Sequence, residues 1–150
     1  MDLFSNVVTK LPTVGFTGTG HQPLTNNQKI NLEAKLLWFR DNGYKIARHG
    51  DCIHADTEFH YIALRLGYYI VVHPPINSSK ASGLGTKPAE QAIILREQPK
   101  PYLDRNHDIV DNSDILIACP KENTEQLRSG TWSTVRYARK KGKQVYLILP

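Results

Sequence analysis

The 150-residue chain has few of the features that would place it outside the ordinary globular class. It has only two cysteines, Cys52 and Cys119, in different predicted elements and at no spacing typical of a metal site, so we expect reduced thiols. No apolar run is long enough to cross a bilayer, and the opening MDLFSNVVTK lacks the basic and apolar regions of a secretory signal. These absences predict a cytoplasmic protein with no membrane partner.

The rest of the composition is that of a folded domain with a small basic excess. Hydrophobic residues make up 40% of the chain and charged residues 22%, so neither a disordered nor a fibrous protein is indicated. At this length, and with no internal repeat, we expect residues 1–150 to form a single domain. The formal net charge of +5 suits an acidic ligand or a nucleic acid without deciding between them.

Hydrophobic periodicity predicts strands that alternate with helices. The strand segments are apolar throughout rather than at every second residue, which is typical of a parallel sheet covered on both faces. Right-handed crossovers would make this an α/β, doubly wound, Rossmann-like domain. The predicted strands are TVGFTG, YKIARHG, YYIVVHPP, the short run AIILRE, DILIACP and QVYLILP, and the predicted helices are NNQKINLEAKLLWFRDNG, ADTEFHYIALRLG, YLDRNHDIVDNS and SGTWSTVRYARKKGK.

The strand-to-helix junctions are the expected ligand-binding positions, because ligands of such sheets bind outside the carboxyl ends of the strands. Glycine in the first junction lets the backbone approach a ligand closely, and threonine hydroxyls can hydrogen-bond phosphate oxygens. The order is neither G-x-G-x-x-G nor a P-loop, so a plain tight turn explains the same residues equally well. The candidates here are Thr17, Gly18, Thr19, Gly20 and His21.

The second junction, HGDCIHADTEFH, is dense in polar side chains. Imidazole and carboxylate are common metal ligands, but no spacing here matches a known zinc pattern, and an aspartate at a helix start is an ordinary cap. We therefore predict no metal and no cofactor. The candidates for ligand binding are Gly50, Asp51, His54 and Asp56.

Two later segments carry further candidates. Arg105 and Asn106 offer a cation and an amide for a phosphate and for a ribose hydroxyl or base edge, although a solvated helix face explains them as well. The loop over residues 74–91 is rich in Ser, Gly, Lys and Pro. It is either a lid, with His73, Lys80 or Lys87 touching a ligand, or a spacer.

The last junction predicts an anion site at a helix N-terminus. Free backbone N–H groups and the positive end of the helix dipole favour an anion there, although hydroxyls in these positions also serve as ordinary caps. The first and last junctions would meet in one cleft if the sheet is ordered as in Rossmann folds. The candidates are Arg128, Ser129, Gly130 and Thr131.

Four segments together resemble the SLOG superfamily, a Rossmann-like group that includes the DNA-processing protein A domain, the Lonely-guy phosphoribohydrolases and nucleotide-sensing domains of antiphage systems. The resemblance spans Val14 to Leu149 and implies a nucleotide or nucleotide-derived ligand, sensed or sequestered in phage or antiphage immunity. The matching segments are GFTGTG, GDCIHADTEFHYIALRLG through Asp56 and His60, DRNHDIVDNSDILIA through Arg105 and Asn106, and RSGTWSTVRYARKKGKQVYLI through Ser129, Gly130, Thr131, Ala138 and Gly142.

The departures from the family bear on activity. Its hydrolases and transferases carry a catalytic glutamate three residues after the threonine of their G-T motif, and Thr134 holds that position here. A threonine cannot supply the carboxylate, so the sequence favours binding without turnover. The alternative is an N-glycosidic hydrolase or transferase in which Asp56 or Glu58 acts with Arg105.

A second alternative is single-stranded DNA binding of the DNA-processing type. The arginine usual in the first loop of those proteins is replaced here by Gly18, Thr19 and Gly20, which makes a nucleic-acid partner less favoured. A basic helix face is more often a solvated surface. The residues of that basic face are Arg136, Arg139, Lys140, Lys141 and Lys143.

A homo-oligomer is compatible with the sequence.

Overall fold

The computed structural model describes residues 11–76, 80–82 and 93–150, which form one six-stranded sheet and four helices. Residues 1–10 and most of the 74–91 loop, including Lys87, lie outside the described residues. The strands are β1 (Thr13–Gly18), β2 (Ile46–His49), β3 (Tyr69–Val72), β4 (Ile93–Arg96), β5 (Ile115–Cys119) and β6 (Gln144–Leu147), and the helices are α1 (Asn26–Asp41), α2 (Ala55–Arg65), α3 (Tyr102–Asp111) and α4 (Gly130–Lys140).

All neighbouring strands are parallel, in the order β4-β3-β2-β1-β5-β6. The chain builds outward from β1 to β4, returns to the other side of β1 and continues through β5 to β6. The strand order therefore reverses between β1 and β5, which is where a doubly wound sheet opens a crevice at its carboxyl edge. The predicted α/β, doubly wound architecture is confirmed.

Alternate residues of β1 show how the two faces are covered. Val14 and Phe16 are buried in the main core with residues of α1 and α2, and Phe16 stacks on Phe59 at 4.3 Å between ring centroids. Gly15 faces the other side, where an added Cβ would lie 2.5 Å from Ser113 Oγ and 3.3 Å from Ile109. The end of α3 lies against β1 because Gly15 has no side chain.

The start of α1 is set by a capping box rather than by the glycine-rich turn. Thr25 Oγ1 accepts a hydrogen bond from Gln28 N, and Gln28 Oε1 accepts one from Thr25 N. The Gln28 side chain also donates to Pro120 O at 2.8 Å and Ile148 O at 3.0 Å, which ties α1 to the ends of β5 and β6. Gly18 and Gly20 thus precede the helix by several residues, and the helix starts at Asn26, where the sequence predicts it.

None of the helices in the described ranges is both long and apolar enough to span a membrane.

Candidate functional site

A cleft of about 560 Å³ opens at the carboxyl ends of β1 and β5. Because the strand order reverses there, the loops on its two sides diverge and leave space between them. Predicted residues from all four candidate segments lie together around it, namely Thr17, Gly18, Thr19, Gly20, His21, Gly50, Asp56, Arg105, Asn106, Arg128, Ser129, Gly130 and Thr131.

The β1 turn forms one wall of the cleft. Thr19 N donates to Cys119 O at 3.1 Å, and Thr19 O accepts from Ala55 N at 3.2 Å, so this buried residue joins β5 to the start of α2. A Cβ on Gly18 would lie 2.5 Å from the Ala55 Cβ, so close packing alone requires glycine there. Gly20 has more room, with Lys80 Cδ as the nearest neighbour at 3.5 Å from an added Cβ.

The N-terminus of α4 forms the opposite wall. Ser129 is the N-cap, and its Oγ accepts from Trp132 N at 3.2 Å. The amides of Gly130 and Thr131 belong to the first turn, whose N–H groups have no intrahelical acceptor. Ser129 is thus a cap, as in the ordinary interpretation, and the turn it starts still offers N–H groups to an anion.

Arg105 lies buried at the floor of the cleft, 5% exposed. Its Nη1 donates to Gly50 O and, at 3.1 Å, to His73 O, which follow β2 and β3, while Nη2 contacts Cys52 Sγ. The guanidinium also lies over the Tyr102 ring, 5.2 Å from its centroid. Its Nε is buried without a hydrogen-bond partner among the described residues.

Gly50 leaves the space that Arg105 occupies. A Cβ on Gly50 would lie 2.2 Å from Arg105 Nη1 and 3.0 Å from Asp56 Oδ2. Asp56 Oδ2 accepts from Cys52 N at 3.1 Å. Burial raises the pKa of Asp56 to about 6, although Arg105 and the hydrogen bonds from the Cys52 and Gly50 amides act in the opposite direction. The cleft floor therefore holds a carboxyl group that takes up a proton near neutral pH.

Three predicted residues do not line the cleft. Asp51 and His54 lie in the left-handed region, with φ of 56° and 68°, and Asp51 Oδ1 accepts from Ser82 Oγ at 2.5 Å. Glu58, a candidate catalytic carboxylate, accepts from Leu24 N at 2.7 Å and pairs with Lys29 at 3.1 Å. The carboxylates of Asp51 and Glu58 hold loops instead of lining the cleft.

The buried histidines beside the cleft are bonded to one another. His49 Nδ1 accepts from Asp51 N at 3.0 Å, which leaves the proton on Nε2 to donate to His60 Nδ1 at 2.9 Å. Burial holds the pKa of His49 well below its usual value. The pair is a neutral internal bond and does not line the cleft.

Sequence reasoning named Lys80 only in the lid alternative and did not name several other lining residues. Lys80 lies near the β1 turn, with Nζ 3.0 Å from His21 Nδ1, and its carbonyl accepts from Ile53 N at 2.7 Å. Lys121 and Glu122 directly follow β5, where the junction rule could have found them. The other polar lining residues not predicted are Cys52, Tyr102 and Gln126.

Thr134, which stands where the SLOG enzymes that the sequence resembles carry their glutamate, does not line the cleft. It is 2% exposed and its Oγ1 donates to Gly130 O at 2.8 Å, one turn back in α4. Among the cleft-lining residues that the structure describes, the carboxylates are Asp56 and Glu122. Over the same described ranges, no group of three or more His, Cys, Asp or Glu side chains is placed to hold a metal ion.

Comparison with solved structures shows that this fold has known counterparts. A molybdenum cofactor binding protein from the phototrophic bacterium Rippkaea orientalis superposes with a TM-score of 0.68 at 22% identity, over 94% of this chain and 78% of the other. The molybdenum cofactor carrier protein of Chlamydomonas reinhardtii gives a TM-score of 0.64 at 19% identity, over 94% and 79%. At these identities the similarity establishes the fold alone. No protein-family model matches the sequence, and no curated protein sequence does.

Proposed function

We propose that this chain binds a phosphorylated small molecule, a nucleotide or nucleotide-derived compound, in the cleft between β1 and β5. The single observation that carries the proposal is that the β1 turn, the N-terminus of α4 and buried Arg105 line one cleft. Each of them alone is a common structural feature. Together they supply backbone N–H groups, a helix dipole and a buried cation to one volume, which suits an anion.

Further cations at the rim support an anionic ligand. Lys80, Lys121 and Arg128 line the cleft with His21, whereas the lining carboxylates are Asp56 and Glu122 over the described residues. The volume of about 560 Å³ suits a ligand of nucleotide size. Apolar Phe16, Leu103 and Ile109 complete the lining and would contact a heterocycle.

The names of the two structural neighbours favour a second candidate ligand. The molybdenum cofactor that both are named for is itself a phosphate-bearing pterin, so the same walls could hold its phosphate and ring. The resemblance to SLOG proteins instead favours a nucleotide signal in phage or antiphage immunity. Both candidates fit a cytoplasmic binding protein, with or without self-association.

Turnover and DNA binding have less support. An N-glycosidic hydrolase would need Asp56, with its raised pKa, to act in place of the missing glutamate. In the basic face proposed for DNA, Arg136 already bonds Glu125 at 2.9 Å and the carbonyl oxygens of Gln126 and Leu127. That face also lies on α4 beyond its first turn and on the residues that follow α4, and none of its five residues lines the cleft.

The test is calorimetric titration with inorganic pyrophosphate, a panel of nucleoside monophosphates and a phosphorylated pterin. We expect at least one to bind, and Lys80→Ala to weaken that binding roughly tenfold through the loss of one charged contact. Lys140→Ala is the matched control, because Lys140 is in the last turn of α4 and does not line the cleft. Absence of binding by the whole panel, or equal effects of the two substitutions, would contradict the proposal. Compounds that co-purify with the protein, identified by mass spectrometry after denaturation, would show which ligand class it carries.

A further inference from the structure

Glu122 is an acidic residue in a cleft rimmed mainly by cations. Its Oε1 accepts a hydrogen bond from Trp132 Nε1 at 3.2 Å. Trp132 is 3% exposed and packs with Ala118 of β5 and Val135 of α4. A side chain so enclosed keeps its rotamer, so the indole holds the Glu122 carboxylate at a fixed place on the cleft wall.

Holding the loop after β5 does not require this carboxylate. Arg136 already ties that loop to α4, because it bonds Glu125 Oε2 at 2.9 Å and the carbonyl oxygens of Gln126 at 3.2 Å and Leu127 at 3.1 Å. The Ser129 cap fixes the last residue before the helix. A loop held in these ways does not explain why an acid faces the cleft.

A carboxylate in this position opposes the binding of a bare anion. It lies on the wall that also carries the N-terminus of α4, so its charge repels a phosphate bound nearby. The repulsion is offset when the ligand brings hydrogen-bond donors to the carboxylate. A carboxylate accepts two donors side by side, and such charge-assisted bonds are the strong ones.

We propose that Glu122 is the specificity-determining residue of this cleft and selects ligands that carry a pair of donors beside their phosphate. This inference rests on the proposed function. The donor pair is either the vicinal hydroxyl groups of a ribose or the N–H and amino edge of a guanine or pterin ring. The Trp132 indole donates to Oε1, which is the one hydrogen-bonded oxygen among the described contacts of Glu122. The donor pair of the ligand supplies the remaining hydrogen bonds to the carboxylate.

Asp56, the other lining carboxylate, is less suited to this role. It accepts hydrogen bonds from the Cys52 and Gly50 amides and lies beside Arg105. Burial also raises the pKa of Asp56 to about 6, so part of it is protonated near neutral pH. Glu122 is only half-buried and meets the ligand from the rim side.

The experiment compares wild type with Glu122→Gln by calorimetric titration of GMP, 2′-deoxy-GMP, IMP and inorganic pyrophosphate. Glutamine keeps an oxygen for the Trp132 indole and removes only the charge and the second acceptor. We expect Glu122→Gln to weaken GMP binding roughly ten- to hundredfold, and pyrophosphate binding to stay the same or become slightly tighter. In wild type, a preference for GMP over 2′-deoxy-GMP identifies the ribose, and a preference over IMP identifies the amino edge.

The matched control is Glu125→Gln in the same loop, which removes a charge that does not line the cleft. The glutamine oxygen still accepts from Arg136, so every affinity should stay unchanged. Equal losses for GMP and pyrophosphate in Glu122→Gln would assign a loop-holding role and overturn the inference. Unchanged or tighter GMP binding in Glu122→Gln would mean that Glu122 only repels the ligand, and this would also overturn the inference. Binding of pyrophosphate by the wild type would still support the proposed function. If wild type binds none of the four probes, this inference is overturned, while the proposed function is decided by the wider panel that includes the phosphorylated pterin.

Discussion

The polar residues after β2 and those after β1 and β5 look alike in sequence and differ in the structure. At the end of β2, His49 bonds His60, and directly beyond it Asp51 bonds Ser82. After β1 and β5, Thr19, Lys121 and other polar residues line an open cleft. The segment with the most polar groups is therefore the one that uses them internally. Density of polar residues is a weaker sign of a site than the presence of donors still open to a ligand.

Arg105 belongs to both regions. Its Nη1 bonds the carbonyl oxygens of residues that follow β2 and β3, and the residue also lines the cleft. The internal network and the proposed binding site thus share one guanidinium. Substitutions should separate the two regions by their effects on stability and on ligand binding.

The largest effect should come from Arg105→Met, which tests whether the two regions depend on one residue. The change leaves Gly50 O, His73 O and the Asp56 carboxylate buried without their cation, so we expect a loss of about 3–5 kcal/mol in unfolding free energy. Urea denaturation measures it. Adding Asp56→Asn should recover part of the loss, because the unpaired carboxylate is then gone. A loss below about 1 kcal/mol would mean that Arg105 contributes to the cleft and not to the stability of the internal network.

Acid should destabilise the internal network next most strongly. Burial and Arg48 hold the pKa of His73 at about 3, against an ordinary value of 6.5, so the unfolded chain binds a proton that the folded chain does not. Stability from this histidine is present above pH 6.5 and is lost as the pH falls toward 3, by about 1.4 kcal/mol per pH unit. His49 acts in the same direction.

Asp56 acts the other way, because its pKa rises from 3.8 to about 6 on folding and the folded state gains a proton as the pH falls. As the pH falls, His49 and His73 each lower the unfolding free energy and Asp56 raises it. Because two groups act against one, we expect the unfolding free energy to decrease from pH 7 to pH 5. His73→Gln, which keeps an acceptor for Arg48 Nη1, should make that dependence shallower. If the unfolding free energy of the wild type stays constant or increases as the pH falls from 7 to 5, the assignment of neutral buried histidines is contradicted.

The smallest expected effect compares two helix caps. Ser129→Ala and Thr25→Ala each remove a hydroxyl that accepts a backbone N–H at a helix start, so each should cost about 1 kcal/mol in urea denaturation. Ser129 lines the cleft and Thr25 does not. Pyrophosphate affinity should therefore fall only in Ser129→Ala. A similar fall in both would mean that binding follows helix stability rather than the cleft wall.

The sequence predicted the fold well because each strand is apolar along its length and each helix has one buried face. The junction rule found half of the cleft-lining residues, since the ends of parallel strands lie at one edge of the sheet. It did not predict how Arg105 is used, because the partners are backbone carbonyl oxygens 55 and 32 positions away. Backbone acceptors have no residue type, so no pattern of letters marks them. Backbone donors have no residue type either. Glu58 was therefore misread as a catalytic candidate, although its carboxylate accepts a hydrogen bond from the backbone N–H of Leu24.

The side chain of Gln28 has a consequence for how this molecule could diversify. Both hydrogens of its amide are used on carbonyl oxygens after β5 and β6, one of them on Pro120, directly before Lys121 and Glu122. Movement of the cleft wall that contains Lys121 and Glu122 would either pull the first turn of α1 with it or break the buried hydrogen bonds of Gln28. Relatives that accommodate bulkier molecules should therefore differ in the chain around Lys80 on the facing side, while glutamine persists at this position.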